Sequence, residues 1–261
     1  MCTIAILIDV VVGAPLVIAA NRDEIYARPT RPPQLLLPSP RIIGGMDELS
    51  GGTWLAVRAD GHFAAVTNHR ALVSPPPGLR SRGLAVIELA AAGDPDGYVA
   101  ALDPAAYASM NLVWSTRGGA AVAYARREQR TLEIERLSRG VHVLCNDRLG
   151  AEGFPRAAWL ARGIQAALDE GVGWPALAAR LGALLGDHRR AGPTEAVATG
   201  PLPPELARDL SATCIHTPLY GTRSSTIVAL APGAGVIDYL HADGPPCTTP
   251  FVDRRALLES S

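Results

Sequence analysis

The chain has 261 residues, of which 48% are hydrophobic and 19% charged, and its formal net charge is −1. This composition is typical of a well-packed globular protein and gives no indication of a polyanionic partner such as nucleic acid. All 24 basic residues are arginine, which excludes a catalytic lysine, a Schiff base and a P-loop.

The cysteines and the hydrophobic stretches limit the possibilities further. Four cysteines are widely separated along the chain, at Cys2, Cys145, Cys214 and Cys247. They form no CxxC pair and no Cys/His spacing typical of zinc, so no metal site is expected. Residues 1–20 lack a basic n-region and are interrupted by Asp9, unlike a signal peptide. No apolar stretch reaches 18 residues, so we expect no transmembrane helix and a cytoplasmic protein.

The first predicted element is a β-hairpin. Thr3–Val12 and Leu16–Asn21 are rich in strand-forming residues and flank a turn at Gly13-Ala14-Pro15. Both runs are apolar at nearly every position, which is typical of strands covered on both faces. The hairpin returns the polar residues after Asn21 toward Cys2, so Asp23 is expected near the start of the chain.

Strands and helices then come in blocks. Residues 28–40 are Pro-rich and predicted to be coil, and a second hairpin turns at Asp60-Gly61. The remaining predicted segments, in chain order, are strands Thr53–Arg58 and His62–Thr67, a loop at 74–77, helix Leu84–Ala92, strands Asn111–Ser115, Ala120–Ala125, Thr131–Leu137 and Val141–Cys145, helices Pro155–Glu170 and Trp174–Leu185, coil at 192–204, and strands Ala212–Thr217, Ser224–Ala231 and Val236–Ala242.

This order favours a particular fold class. The strands follow one another as antiparallel pairs and do not alternate with helices, which argues against a doubly wound sheet. We expect two stacked antiparallel sheets with helices outside. No internal repeat or linker is visible, so one domain over residues 1–261 is expected. The Pro-rich segments 28–40 and 192–204 are interpreted as loops near a site.

Cys2 is the first candidate for chemistry. It directly follows the initiator Met, and a small second residue usually allows that Met to be removed. The α-amine of Cys2 would then be free, with an ordinary pKa of about 7.7–8.0, and could act as a base beside its own nucleophilic thiol. The alternative is that Cys2 is simply a small residue on a buried strand.

Several short segments together carry a family resemblance. They are Met1-Cys2-Thr3, Asn21-Arg22-Asp23-Glu24, Gly51-Gly52-Thr53-Trp54-Leu55, Thr67-Asn68-His69-Arg70, Asn111-Leu112-Val113, Leu144-Cys145-Asn146 and Tyr220-Gly221-Thr222-Arg223-Ser224-Ser225. In this order, from residue 2 to about 240, they resemble the NRDE (transport-and-Golgi-organisation-two-like) family. That family is similar to N-terminal-nucleophile (Ntn) hydrolases of the penicillin V acylase and bile salt hydrolase type. The resemblance implies an α+β fold, a four-layer αββα sandwich.

The resemblance also implies catalytic roles. Cys2 would attack an amide carbonyl, and Asp23 would orient the Cys2 amine. Asn68 and Asn146 would donate side-chain N–H groups to the oxyanion, and Arg223 would hold negative charge on the thiolate or on a substrate carboxylate. Two other interpretations stay open, since an asparagine at a strand end is often a turn former and an isolated arginine often forms a solvated ion pair.

One position departs from the acylase pattern. The acylases carry an arginine three residues before the Asp, where this chain has Ala20, and here the arginine immediately precedes Asp23. Neighbouring strand residues face opposite ways, so Arg22 is expected to point away from Cys2. The candidate substrate-binding residues are Asn21, Arg22, His69 and His216.

Three functions are compatible with the sequence. The first is a cysteine-nucleophile amide hydrolase for a small acylated molecule, which requires no cofactor. The second is a haem carrier, because the family is associated with intracellular haem trafficking. Its candidate axial ligands are Cys2, His69, His216 and Met46, and arginines such as Arg223 would pair with propionates. The third is a structural or interaction protein on a hydrolase fold that has lost its activity.

Overall fold

The structure is a computed structural model that describes residues 2–69, 76–174, 176–193, 195–197 and 202–259. Its strands are β1 (Cys2–Val11), β2 (Ala14–Ile25), β3 (Thr30–Pro38), β4 (Arg41–Asp47), β5 (Leu55–Arg58), β6 (Phe63–Asn68), β7 (Met110–Thr116), β8 (Gly119–Arg126), β9 (Thr131–Leu137), β10 (Gly140–Leu144), β11 (Tyr220–Ala231), β12 (Gly235–Ala242) and β13 (Val252–Asp253). Its α-helices are α1 (Arg82–Ala91), α2 (Pro95–Ala100), α3 (Pro155–Asp169), α4 (Ala176–Leu185) and α5 (Pro204–Asp209).

The strands form two antiparallel sheets. One has six strands in the order β10-β1-β2-β11-β12-β13, and the other has seven in the order β3-β4-β5-β6-β7-β8-β9. Alternate residues of β1 explain why the sheets stack. Ile4, Ile6 and Ile8 pack into a core shared with the second sheet, whereas Ala5 and Leu7 pack toward α3 and α4. A strand covered on both faces must be apolar at nearly every position, as β1 is.

Helices cover the outer face of each sheet. Helix α1 packs on β5 and β6 of the seven-stranded sheet, whereas α3 and α4 pack on β1, β2, β10 and β11 of the six-stranded sheet. The layers therefore run helix, sheet, sheet, helix. This arrangement confirms the expected α+β class and the four-layer αββα sandwich.

The Pro-rich segment 28–40 does not form the expected coil. It contributes strand β3, which lies at the edge of the seven-stranded sheet and, among the described residues, pairs with β4 alone. Proline lacks an N–H donor, but an edge strand needs donors on one side only. The pairing register shifts between Arg31 and Gln34, where Pro32 and Pro33 interrupt it.

Two further expectations about secondary structure need correction. Residues 212–217 do not form a strand, because this stretch has a single isolated bridge, between His216 and Gly221. Strand β2 continues beyond its expected end at Asn21 as far as Ile25, since β11 pairs with this extension. Parts of the expected loop at 74–77 and of the coil at 192–204 lie outside the described residues. Among the described residues, no helix is long and apolar enough to cross a bilayer.

Candidate functional site

A cavity of about 650 Å³ opens where β1 begins. Cys2 lies on it, and so does its register partner Arg22 on β2. Residues directly opposite each other on antiparallel strands point to the same face, so the two side chains share one side of the sheet. The expectation that Arg22 points away from Cys2 is therefore wrong. Because neighbouring strand residues face opposite ways, Arg22 points away from Asp23. The antiparallel register nevertheless pairs Arg22 with Cys2, so these two side chains lie on the same face.

The guanidinium of Arg22 is held in place on several sides. It lies over the indole of Trp54 at 4.2 Å and donates to the hydroxyl of Thr30 at 3.0 Å. A carboxylate oxygen of Asp47 is 4.0 Å away. The Arg22 side chain is only 4% exposed, and burial lowers its pKa. Trp54 belongs to the Gly-Gly-Thr-Trp segment, so this motif supplies a surface on which the cation stacks.

Asp23 is buried, lines the same cavity and is held by hydrogen bonds. Its carboxylate accepts a hydrogen bond from the hydroxyl of Thr222 at 2.7 Å, and its backbone carbonyl accepts one from the hydroxyl of Tyr220 at 2.9 Å. Burial raises the pKa of Asp23, and the nearby Arg156 and the Thr222 hydroxyl offset part of that rise. Both hydrogen-bond donors come from the Tyr-Gly-Thr-Arg-Ser-Ser segment, which pairs with the end of β2.

The Gly-Gly segment positions a second arginine that the sequence did not single out. Gly52 has φ +84°, and a Cβ built there would lie 2.2 Å from the backbone carbon of Gly83. The amide of Thr53 donates to the carbonyl of Gly83 at 3.1 Å. The first turn of α1 is thus docked against this loop, and Arg82 lines the cavity. No local sequence pattern indicated Arg82, because it is about 30 residues away from the Gly-Gly segment that it meets in the fold.

Some of the arginines that line the cavity form ion pairs with carboxylates, whereas Arg82 does not do so within the described residues. Arg28 forms an ion pair with Asp47 at 2.7 Å and approaches Glu24 at 3.7 Å, and Arg80 pairs with Glu88 at 2.9 Å. Arg82 donates a long hydrogen bond of 3.4 Å to the carbonyl of Ser109. It forms no ion pair with a carboxylate in the described part of the chain. Burial lowers the pKa of Arg82, and the charge of the Cys2 thiolate raises it.

The two asparagines are connected to each other. Asn68 ends β6, is exposed and lines the cavity. Asn146 is buried just after β10, and its amide donates to the backbone carbonyl of Asn68 at 2.9 Å. Asn111 ties the same segments together by donating to the hydroxyl of Thr67 at 2.9 Å and to the carbonyl of Asp147 at 3.0 Å. Only Asn68 of the pair is among the cavity-lining residues.

The other candidate residues lie elsewhere. Arg223 occupies an irregularity in the β2–β11 pairing and donates to the carbonyl of Tyr26 at 2.6 Å. Asn21 is buried on the opposite face and donates to the carbonyls of Leu185 and Thr213. None of Arg223, Asn21, His69, His216 or Met46 is a described lining residue of the cavity. Their predicted roles in substrate or haem binding stay predictions, as do those of Cys2, Asp23, Asn68 and Asn146.

Burial dominates the electrostatics of the Cys2 thiol. It raises the pKa of Cys2, whereas a backbone hydrogen bond from Asp23 and the guanidinium of Arg22 lower it. A thiol in this setting is nucleophilic only when nearby cations hold its charge. Among the described residues, Arg22 lowers the pKa of Cys2 directly, and Arg82 lines the same cavity.

Comparison with known proteins identifies the family of the chain. The family model described as Transport and Golgi organisation 2 matches residues 1–237. The chain belongs to this family. A Transport and Golgi organization protein 2 homolog from Bos taurus is 29% identical over 230 residues, covering 82% of this chain and 81% of its own. The Homo sapiens homolog is 40% identical over 57 residues, 21% of each chain. The NRDE family resemblance is thereby confirmed.

Solved structures share the fold of this family member at low sequence identity. The C2A mutant of conjugated bile acid hydrolase from Clostridium perfringens superposes with a TM-score of 0.52 at 12% identity, covering 100% of this chain and 95% of its own. Penicillin V acylase from Agrobacterium tumefaciens gives 0.51 at 12% identity, covering 97% and 86%. A Caenorhabditis elegans N-acylethanolamine-hydrolyzing acid amidase ortholog gives 0.50 at 10% identity, covering 89% and 93%. The fold is that of Ntn hydrolases.

Proposed function

We propose that this protein is an amide hydrolase whose nucleophile is the thiol of Cys2, exposed as the N-terminal residue once Met1 is removed. The observation that carries the proposal is the position of Cys2 on a cavity of about 650 Å³ that it shares with Arg22, Arg82 and the buried Asp23. The fold neighbours support it, being named as a hydrolase, an acylase and an amidase.

The chemistry follows from these groups. The α-amine of Cys2 accepts the thiol proton, and the thiolate attacks the amide carbon of the substrate. The side chain of Asn68, held by Asn146, donates to the oxyanion that forms. When the C–N bond breaks, the protonated α-amine gives its proton to the leaving amine, and a thioester to Cys2 is left. Water then attacks the thioester, the α-amine takes a proton from that water, and the carboxylic acid leaves with the thiol restored.

The cavity favours a substrate that carries negative charge. Arg82 is partly buried, lines the cavity and has no carboxylate partner in the described part of the chain. A desolvated arginine recognises a carboxylate or phosphate through paired N–H donors. We therefore assign Arg82 to the binding of an anionic group on the acylated substrate, in the place for which the sequence suggested Arg223.

The test compares three proteins against a panel of N-acyl amino acids and neutral N-acyl amines. Purified wild type should have an intact mass that begins at Cys2, and Cys2→Ala should lose turnover by on the order of 10³-fold or more. Arg82→Gln should raise KM for the anionic substrates and leave KM for the neutral ones little changed. Arg139→Gln is the matched control, since this exposed arginine lies beside Asp9, at the far end of β1.

Two results would overturn the proposal. One is an intact mass that retains Met1 in protein purified from its natural host, because the amine of Cys2 would then be an amide. The other is amidase activity that Cys2→Ala leaves intact.

Transient haem binding is the second candidate function, with haem as cargo. One feature of the cavity favours it, namely a cysteine thiol close to several arginines, which would suit an iron ligand and propionate partners. Titration of haem into wild type and Cys2→Ala separates the two functions. A Soret shift that requires Cys2, in a protein without amidase activity, would favour the carrier.

A further inference from the structure

Four side chains with metal-binding atoms meet close to the end of helix α4. His188 follows α4, Cys214 and His216 lie before β11, and Cys247 follows β12. One nitrogen or sulfur atom from each residue lies within 4.8 Å of the others. Cys214 and His216 are two positions apart in sequence, and Sγ of Cys214 lies 3.6 Å from Nε2 of His216.

Within this Cys214/His216/Cys247/His188 cluster, the three distances among Cys214, His216 and Cys247 match the geometry of a tetrahedral zinc site. The two sulfurs are 3.7 Å apart, and Nε2 of His216 is 3.6 Å from Sγ of Cys214 and 3.3 Å from Sγ of Cys247. Tetrahedral zinc with bonds of about 2.3 Å to sulfur and 2.0–2.1 Å to nitrogen separates two sulfurs by about 3.8 Å and sulfur from nitrogen by about 3.5 Å. Both cysteines are free thiols, and a disulfide would require about 2.05 Å between sulfurs.

His188 has a further feature of a metal ligand. Its Nδ1 lies 3.2 Å from the carbonyl oxygen of Cys214. A histidine that donates Nδ1–H to a carbonyl leaves Nε2 with the lone pair, and this arrangement commonly fixes the tautomer of metal-bound histidine. The backbone agrees with it, because the amide of Cys214 donates to the carbonyl of Asp187 at 2.8 Å. The two segments are thus already held together beside the cluster.

We propose that His188, Cys214, His216 and Cys247 form a tetrahedral Cys2His2 site for zinc, separate from the cavity at Cys2. Two thiolates and two imidazoles are the donor set that zinc prefers, and four protein ligands make a closed, structural site. The metal would join three segments that are distant in sequence, after α4, before β11 and after β12. In this assignment His216 is a zinc ligand and no longer a candidate haem ligand.

The test uses the full-length protein without an affinity tag, purified under anaerobic conditions from zinc-supplemented culture. Metal analysis should find one zinc per chain. Replacement of zinc by Co²⁺ should give a thiolate-to-cobalt charge-transfer band and the intense visible d–d bands of a tetrahedral site. Cys247→Ser should lose most of the zinc and weaken the charge-transfer band. Cys247 is exposed, so this change leaves the core untouched.

Cys2→Ser is the matched control, because it also removes one thiol but lies outside the cluster. It should keep one zinc per chain whatever its hydrolase activity, so this proposal and the proposed function can fail independently. A wild type that binds zinc well below one equivalent after anaerobic addition of Zn²⁺ would overturn the site. So would equal zinc content in Cys247→Ser and wild type, or a Cys214–Cys247 disulfide in the anaerobic protein.

Discussion

Cys2 and Arg22 face each other across β1 and β2, as register partners that line the same cavity. Burial raises the pKa of the Cys2 thiol, and the guanidinium of Arg22 offsets part of this by favouring the thiolate. Because Trp54 and Thr30 hold Arg22, its charge stays beside the thiol. The reactivity of Cys2 should therefore depend on this arginine.

Arg22→Gln removes that charge and keeps a similar side-chain length. The pKa of the Cys2 thiol should rise, so the thiolate fraction at neutral pH should fall and alkylation by iodoacetamide should slow several-fold. Mass mapping of the modified Cys2 against pH measures the effect, and the profile should move to higher pH. Arg139→Gln is the control. An unchanged profile for Arg22→Gln would show that Arg22 does not tune the thiol.

Gly52→Ala should disrupt the docking of α1. A Cβ at this position meets the backbone of Gly83 at 2.2 Å, and φ +84° strains any residue with a side chain. We expect a loss of about 2 kcal/mol or more in unfolding free energy. Binding of anionic substrate should also weaken, because Arg82 is the first residue of α1 and would move with the helix. Gly93→Ala is the matched control, since its Cβ meets nothing within 4 Å. Urea unfolding measures the unfolding free energy of both variants. Equal values for Gly52→Ala and Gly93→Ala would contradict a role of Gly52 in docking α1.

Asp23→Asn should separate stability from activity. Burial raises the pKa of Asp23 above its ordinary value of 3.8, so between those two pKa values the native state binds more protons than the unfolded chain. Stability then falls as pH rises through that window, and the ionised carboxylate lowers stability at neutral pH. Asparagine still accepts from Thr222 but carries no charge. We expect a higher Tm at pH 7, about 2–4 °C for each kcal/mol gained, with loss of hydrolysis. A lower Tm would contradict this account.

His241 should make the protein sensitive to acid. It is 1% exposed, lies 2.9 Å from the Thr226 hydroxyl, and burial together with Arg254 lowers its pKa to about 4. The unfolded chain binds a proton near pH 6.5, so stability falls as pH drops from about 6.5 to 4, by up to about 3 kcal/mol. His241→Gln should flatten the Tm profile over this range. His142→Gln, on β10, is the control and should keep the wild-type slope.

Part of this molecule could be predicted from local sequence pattern alone. The near-continuous apolar runs of β1 and β2 indicated strands covered on both faces, and the structure confirms it, with Ile6 toward the second sheet and Leu7 toward the helices. The short turn between them was enough to bring the residues after Asn21 back to Cys2. Such information is local, because a turn and a period of two residues fix which strand ends meet.

Other features depended on contacts between distant segments. Residues 30–38 can form strand β3 in spite of their prolines because β3 lies at the edge of its sheet. Local sequence pattern does not reveal which strand lies at an edge. Arg82 reaches the cavity of Cys2 only because Gly52 and Gly83 allow two backbones to touch. The cluster of His188, Cys214, His216 and Cys247 joins three segments and so shows no motif spacing. The sequence by itself determined the family, the first hairpin and the nucleophile candidate. The tertiary structure decided which arginines and which cysteines meet, because packing between segments sets those distances.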